Sequence, residues 1–180
     1  MIKRIAIFTV FIAAAMLVAG LFGALHDQIS YSVSNEYFTK FKFVQFHLLN
    51  SEAPERVRVA TVGFLASWWM GIPLGLLTGV AGFIQRTPAH MSRALALSLG
   101  VICTFVLLVA LAGLAYGLVQ TAQLDLANYG GWFIPPDLEH PRRFISVGYM
   151  HNSAYLGGAA AIPVAWAFHF FYRRMSAHAA

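Results

Sequence analysis

The sequence predicts an all-α integral membrane protein, an antiparallel bundle of four transmembrane helices with an aromatic-rich outer interfacial segment. Three observations carry that expectation. Of 180 residues, 59% are apolar and only 11% are Asp, Glu, Lys or Arg, against about 25% charged in an ordinary soluble domain. The mean hydropathy is +0.66. The charged residues leave four runs untouched, residues 5–25, 59–84, 94–120 and 144–172. Each is long enough, at about 1.5 Å per residue, to cross a hydrocarbon core of about 30 Å. So few charges cannot cover a soluble globule, which sets aside soluble enzymes, disordered tails and nucleic-acid-binding domains. A single cysteine, Cys103, sets aside a disulfide scaffold. Residues 1–180 are read as one membrane domain.

Backbone groups in hydrocarbon must be satisfied within their own segment, so each run is expected to be helical. None alternates in polarity as a barrel strand would. The first run follows Met-Ile-Lys-Arg, as a signal peptide would, with Val18-Ala19-Gly20 as a cleavage site. Its 21 uninterrupted residues exceed the 7–15 of a usual signal core, which favours a retained helix.

Basic residues divide six against six between the two sides. Lys3, Arg4, Arg86, Arg93, Arg173 and Arg174 fall on one side, and Lys40, Lys42, Arg56, Arg58, Arg142 and Arg143 on the other. The first group sits in much shorter segments, and Lys3-Arg4 precede the helix that usually dominates orientation. The expectation is a bacterial inner-membrane protein with both termini cytoplasmic, a short inner loop (85–93) and two outer segments (26–58 and 121–143). All seven acids then lie outside or at the outer boundary. The lipid bilayer is the first partner; nothing resembles a nucleic-acid stripe.

The first outer segment is dense in aromatics: Tyr31, Tyr37, Phe38, Phe41, Phe43 and Phe46. Ile29, Tyr31 and Val33 alternate with polar residues, which suits a short strand. Beyond it, Ser34 is placed to cap a helix with Glu36 in its first turn and Phe38, Phe41 and Gln45 on one face. A strand through Phe41-Lys42-Phe43 fits equally well. The segment reads either as an interfacial collar or as a lid over a site on the outer face. Glu52-Ala53-Pro54-Glu55 reads as a turn, and Trp132-Phe133-Ile134 in the second outer segment as an interfacial dip.

Small residues set the expected packing. Gly63, Ser67, Gly71, Gly75 and Gly79 recur at four-residue spacing, and Ser153, Gly157, Ala161 and Ala165 form a second stripe. Such stripes let helix backbones approach closely. The two are expected to face each other within one bundle, with a self-association face as the alternative. Pro73 is expected to kink the second helix near mid-membrane. No second Gly-Ile-Pro-Leu-Gly occurs, which counts against a transporter built on repeated broken helices.

Ionisable groups inside spans are costly and mark functional candidates. Only histidines qualify. His151 lies about 10 Å into the fourth run, and His26 closes the first run at the same outer level, followed by Asp27. Folding therefore gathers His26, Asp27 and His151, with Tyr149, Asn152, Tyr155, Gln120 and Glu36 as an outer polar cluster. Two imidazoles and a carboxylate suit a divalent metal, and two imidazoles alone suit haem b. The competing expectation, and the leading one, is no cofactor: polar side chains hydrogen-bonding across helices, each worth about 0.6 kcal/mol. Rings more than about 8 Å apart would exclude a shared metal, since Zn–N bonds are about 2.0–2.1 Å. His169, ahead of Arg173-Arg174, reads as interfacial. No catalytic spacing motif is visible, so the chain reads as a non-enzyme.

The segments His26-Asp27-Gln28-Ile29-Ser30-Tyr31 and Glu36-Tyr37-Phe38-Thr39-Lys40-Phe41-Lys42-Phe43, with Gly148-Tyr149-Met150-His151-Asn152-Ser153-Ala154-Tyr155-Leu156-Gly157-Gly158, resemble small four-span bacterial inner-membrane proteins without an assigned activity. The resemblance implies a fold and a location and lends no catalytic residue. Three functional expectations follow. The first is a non-enzymatic subunit whose outer face contacts lipid or a membrane or periplasmic protein. The second is a metal- or haem-binding redox or sensor protein, with Asp27 or Glu36 supporting His26 and His151. The third is an oligomeric channel or transporter built through the glycine stripe.

Overall fold

The computed structural model describes residues 1–178. The chain is 82% helical and has no strand among the described residues. Four helices are long and apolar enough to cross a membrane: Ile2–Val33, Glu55–Ile84, Pro88–Gln120 and Pro141–Ser176. Their mid-length surfaces are hydrocarbon. Val10, Leu17, Leu108 and Leu156 are all more than half exposed, which water would oppose at about 25 cal/mol per Å².

The spans outrun the apolar runs that announced them. Helix α1 (Ile2–Val33) continues for two turns past Leu25. The expected strand at Ile29, Tyr31 and Val33 does not form. Gly23, His26, Asp27 and Ser30 are buried along α1, and this three-and-four spacing puts polar groups on one helical face against the rest of the chain. That tertiary burial overrides the local alternation. The second span begins where Arg56 reaches back to α1, its Nη1 donating to the Gln28 carbonyl at 3.1 Å. The Tyr31 hydroxyl also donates to the Glu55 carboxylate.

The second span is composite: α3 (Glu55–Ser67), a 3₁₀ turn (Trp68–Met70), α4 (Gly71–Gly79) and a second 3₁₀ segment (Val80–Ile84). Pro73 cannot donate to the carbonyl of Trp69 and its ring would strike it, and the break falls on that turn. Helix α5 (Pro88–Gln120) starts from Thr87, whose side chain accepts from the His90 N–H at 3.2 Å with Pro88 at the first turn. Helix α6 (Pro141–His178) holds a second internal proline, Pro163, without breaking.

The two small-residue stripes do not face each other. Gly63, Gly71, Gly75 and Gly79 all lie against α1, meeting Gly23, Met16, Ala15 and Phe11 in turn, so the two spans run in opposite directions. Gly23 and Gly63 are so close that a Cβ on either would collide with the other's backbone. On α6, Ser153 and Gly157 pack instead on α5 at Gly113 and Val109, again with opposed chain direction. Each stripe thus serves its sequence neighbour. The pattern reports close approach without naming the partner.

The first outer segment folds inward. A π-helical turn (Phe38–Lys42) leads into α2 (Phe43–Gln45), and the Phe43 N–H bonds to the Phe38 carbonyl. This five-residue step carries Phe43 round to share the buried face with Phe38. Gln45 is left exposed, bonded to Lys42 Nζ at 2.9 Å. Neither a strand nor the expected Phe38–Phe41–Gln45 face results. Ser34 does not cap this helix; it ends α1, and its hydroxyl is buried without a partner. Tyr37, Phe38 and Phe43 join Val59, Val62 and Phe144 in a single apolar core at this end of the chain. The aromatic segment is thus part of the core rather than a free-standing loop.

Candidate metal centre

His26 and Asp27 are consecutive on α1, and both are buried because α1 is covered at this level. His26 Nδ1 lies 3.1 Å from Asp27 Oδ1. With Nδ1–H donated to that carboxylate, His26 Nε2 is a bare lone pair, and it is buried with no hydrogen-bond partner. Opposite stands His151, about three turns into α6. Its Nε2 lies 3.3 Å from Ser30 Oγ and 3.8 Å from Asp27 Oδ1. The two imidazoles meet edge to face, centroids 4.8 Å apart with 89° between planes. This separation does not exclude a shared metal.

One ligand atom from each of His26, Asp27 and His151 can be chosen so that all lie within 4.8 Å of one another. Metal–ligand bonds of about 2.0–2.2 Å require donor atoms somewhat closer than this, which asks for about an ångström of contraction. Phe22 stacks on His26 from one side at 6.0 Å, and Tyr37 covers His151 from the other. Aromatic rings thus flank both imidazoles. A haem does not fit this arrangement. Rings in edge-to-face contact leave no room for a macrocycle between them, so bis-histidine haem ligation is set aside.

Residues 36–45 are fastened across the chain. Glu36, expected as metal support, points elsewhere: its carboxylate accepts the backbone N–H groups of Glu139 and His140 at 2.9 and 2.7 Å. These lie just before Pro141, so Glu36 sets a negative charge at the N-terminus of α6. Lys40 Nζ pairs with the same carboxylate at 2.9 Å and donates to the Asp137 carbonyl. Burial works against the Glu36 carboxylate, but the Lys40 ammonium and the two backbone N–H groups outweigh it and hold its pKa below the usual value. The Glu36 carboxylate in turn raises Lys40, with Asp137 assisting.

The remaining expected site residues scatter. Asn152 and Tyr155 line a chamber beside His151. Tyr149 points away, into rings of Trp132 at 5.1 Å and Tyr116 at 5.4 Å. Gln120 is exposed at the end of α5. Trp132 presses on Gly148, while Phe133 stays exposed.

Ser30 is not singled out by the sequence; its spacing from Asp27, one helical turn, was the available signal. His169 is fully buried, its carbonyl accepting from Gln85 Nε2 at 3.0 Å. A charge-free run conceals such a pair, because neither residue registers as charged. No family model, curated protein or solved structure matches the chain.

Proposed function

We propose that the chain is a multi-pass membrane protein that holds a divalent transition-metal cation at His26, Asp27 and His151, beneath the lid formed by residues 36–45. The observation carrying this reading is the convergence of three metal-capable side chains on one point, with a buried His26 Nε2 that has no protein partner. A buried carboxylate beside two imidazoles is costly, and a cation is the simplest group that satisfies all three donors together. The N₂O set suits Zn²⁺ first, with positions left open for a further ligand. The exposed apolar flanks of the spans support a place in a bilayer, and Lys3-Arg4 support cytoplasmic termini in a bacterial inner membrane. The centre then lies toward the outer face.

Loading detergent-purified chain with Zn²⁺, then removing free metal, is expected to leave about one ion per chain by elemental analysis. His26→Ala and His151→Ala should each lose it. A wild-type chain that stays metal-free, or a His151→Ala variant that keeps its ion, overturns the reading.

A second reading keeps the leading sequence expectation, contact with lipid through the outer end. It is favoured by a chamber beside His151, developed below. The glycine stripe lends nothing to an oligomeric channel, since α1 of the same chain occupies it.

A further inference from the structure

On the far side of His151 from Ser30 and Asp27 the lid leaves a chamber of about 290 Å³. Its walls are rings, Phe41, Trp132 and Phe144, and its polar lining includes Tyr37, Lys42, Asn152 and Tyr155. Tyr37 is only 6% exposed, while Asn152 and Tyr155 are exposed residues on the lining. Their hydroxyl and amide groups are donors suited to a ligand bearing acceptor oxygens. Lys42 is the one cation on the lining and no acid joins it. Its Nζ is held by Gln45 and lies 4.5 Å from the Phe41 ring centroid, which leaves N–H groups to spare.

Tyr155 also borders a second cavity, of about 110 Å³, lying between the spans. Its lining is dominated by hydrocarbon, with Phe22, Leu74, Ile102 and Val106 around it. The hydroxyl of Thr78, one of its few polar groups, is spent on the Leu74 carbonyl at 2.7 Å. Such a cavity offers nothing to water and suits an alkyl chain.

A polar, cationic chamber at the end of the spans and an apolar one within them share Tyr155. We propose that the two together bind an anionic amphiphile, with its carboxylate or phosphate head beside Lys42, Asn152 and the tyrosine hydroxyls and its chain running past Tyr155. Asp27 does not line the chamber, though its carboxylate is near enough to share the Lys42 charge with the head. Occupancy does not require a metal at the neighbouring centre.

Trp132 on the chamber wall supplies the readout. Full-length protein in detergent is titrated with a fatty acid brominated along its chain, with the methyl ester of that acid, and with brominated phosphatidylglycerol; Trp132→Phe supplies the background. Saturable quenching of Trp132 by the acid is expected, with affinity about tenfold weaker in Lys42→Gln, as loss of a charge-assisted hydrogen bond implies. The ester should bind at least as weakly as the acid does to that variant.

Quenching by phosphatidylglycerol in place of the acid supports the site and assigns a phospholipid source. Should Lys42→Gln fold poorly, Asn152→Leu, at an exposed position, takes its place with the same expected direction. Equal affinity for acid and ester, or quenching that persists in Trp132→Phe, overturns the proposal. Metal content measured on the same samples keeps this outcome separate from that of the metal centre.

Discussion

The Tyr37 ring lies over the imidazole of His151, stacked at 4.9 Å with 23° between the planes. One residue comes from the lid and the other from the last span, so this contact closes the centre. Tyr37→Ala should expose His151. Modification by diethyl pyrocarbonate, followed by mass spectrometry, is expected to rise at His151 by about tenfold, since such ring pairs contribute about 0.5–1.5 kcal/mol. Unchanged reactivity would mean that the lid opens freely without this contact.

Glu36→Gln removes the negative charge facing the first N–H groups of α6 while keeping a side chain of similar shape. Lost caps and helix-end charges typically cost about 0.5–2 kcal/mol. Thermal unfolding in detergent should show a lower midpoint than wild type. Lys40→Gln should cost less, because Lys40 is partly exposed and exposed pairs contribute about 0–1 kcal/mol.

The depressed Glu36 value gives a pH dependence. A carboxyl whose folded pKa lies below its unfolded value adds stability that is complete above the unfolded value, about 4.3. That stability is lost as the pH falls through the lower folded value. Trp132 fluorescence, reporting the lid region, should therefore hold steady from neutral pH down to the mid-4s and change below. In Glu36→Gln that component should vanish. A transition of the same size in the variant would assign it to another group.

Gly75→Leu tests the stripe. A Cβ at Gly75 would already lie 3.1 Å from Ala15 Cβ and 3.4 Å from Ile12 Cα within the same chain. Overpacking of this kind typically costs about 1–3 kcal/mol. The expected outcome is a lower unfolding midpoint at unchanged oligomer size, measured by light scattering in detergent. A change of size at unchanged stability would restore the self-association reading.

The spans could be read from sequence because hydrocarbon tolerates neither charge nor unsatisfied backbone, and four charge-free runs leave few alternatives. Their ends could not: Gln28, Ser30 and Arg56 are polar yet helical, held by neighbours rather than by solvent. His26, Asp27 and His151 could be gathered from topology, because consecutive spans must return to the same side. Their distances could not, since nothing in the spacing of residues 26 and 151 sets a register. The stripe pairing failed for the same reason. A small residue states how near a backbone can come, and Gly23, overlooked on α1, was the partner of Gly63. The π turn at Phe38–Lys42 has no local signal; it exists because Phe38 and Phe43 both find room in one core.

The bond from Glu36 to the N–H groups of Glu139 and His140 spans more than a hundred residues, and so does that from His151 back to Ser30. Both wait for the same event, the arrival of α6. Before α6 arrives, residues 36–45 have the contacts of α3 but not the tie of Glu36, and His26 and Asp27 lack His151 opposite them. Docking of α6 brings His151 to His26 and Asp27 and fastens Glu36 in the same step. On the proposed metal reading, a cation captured before that step would be sealed in, and one arriving afterwards would wait for the cover to lift.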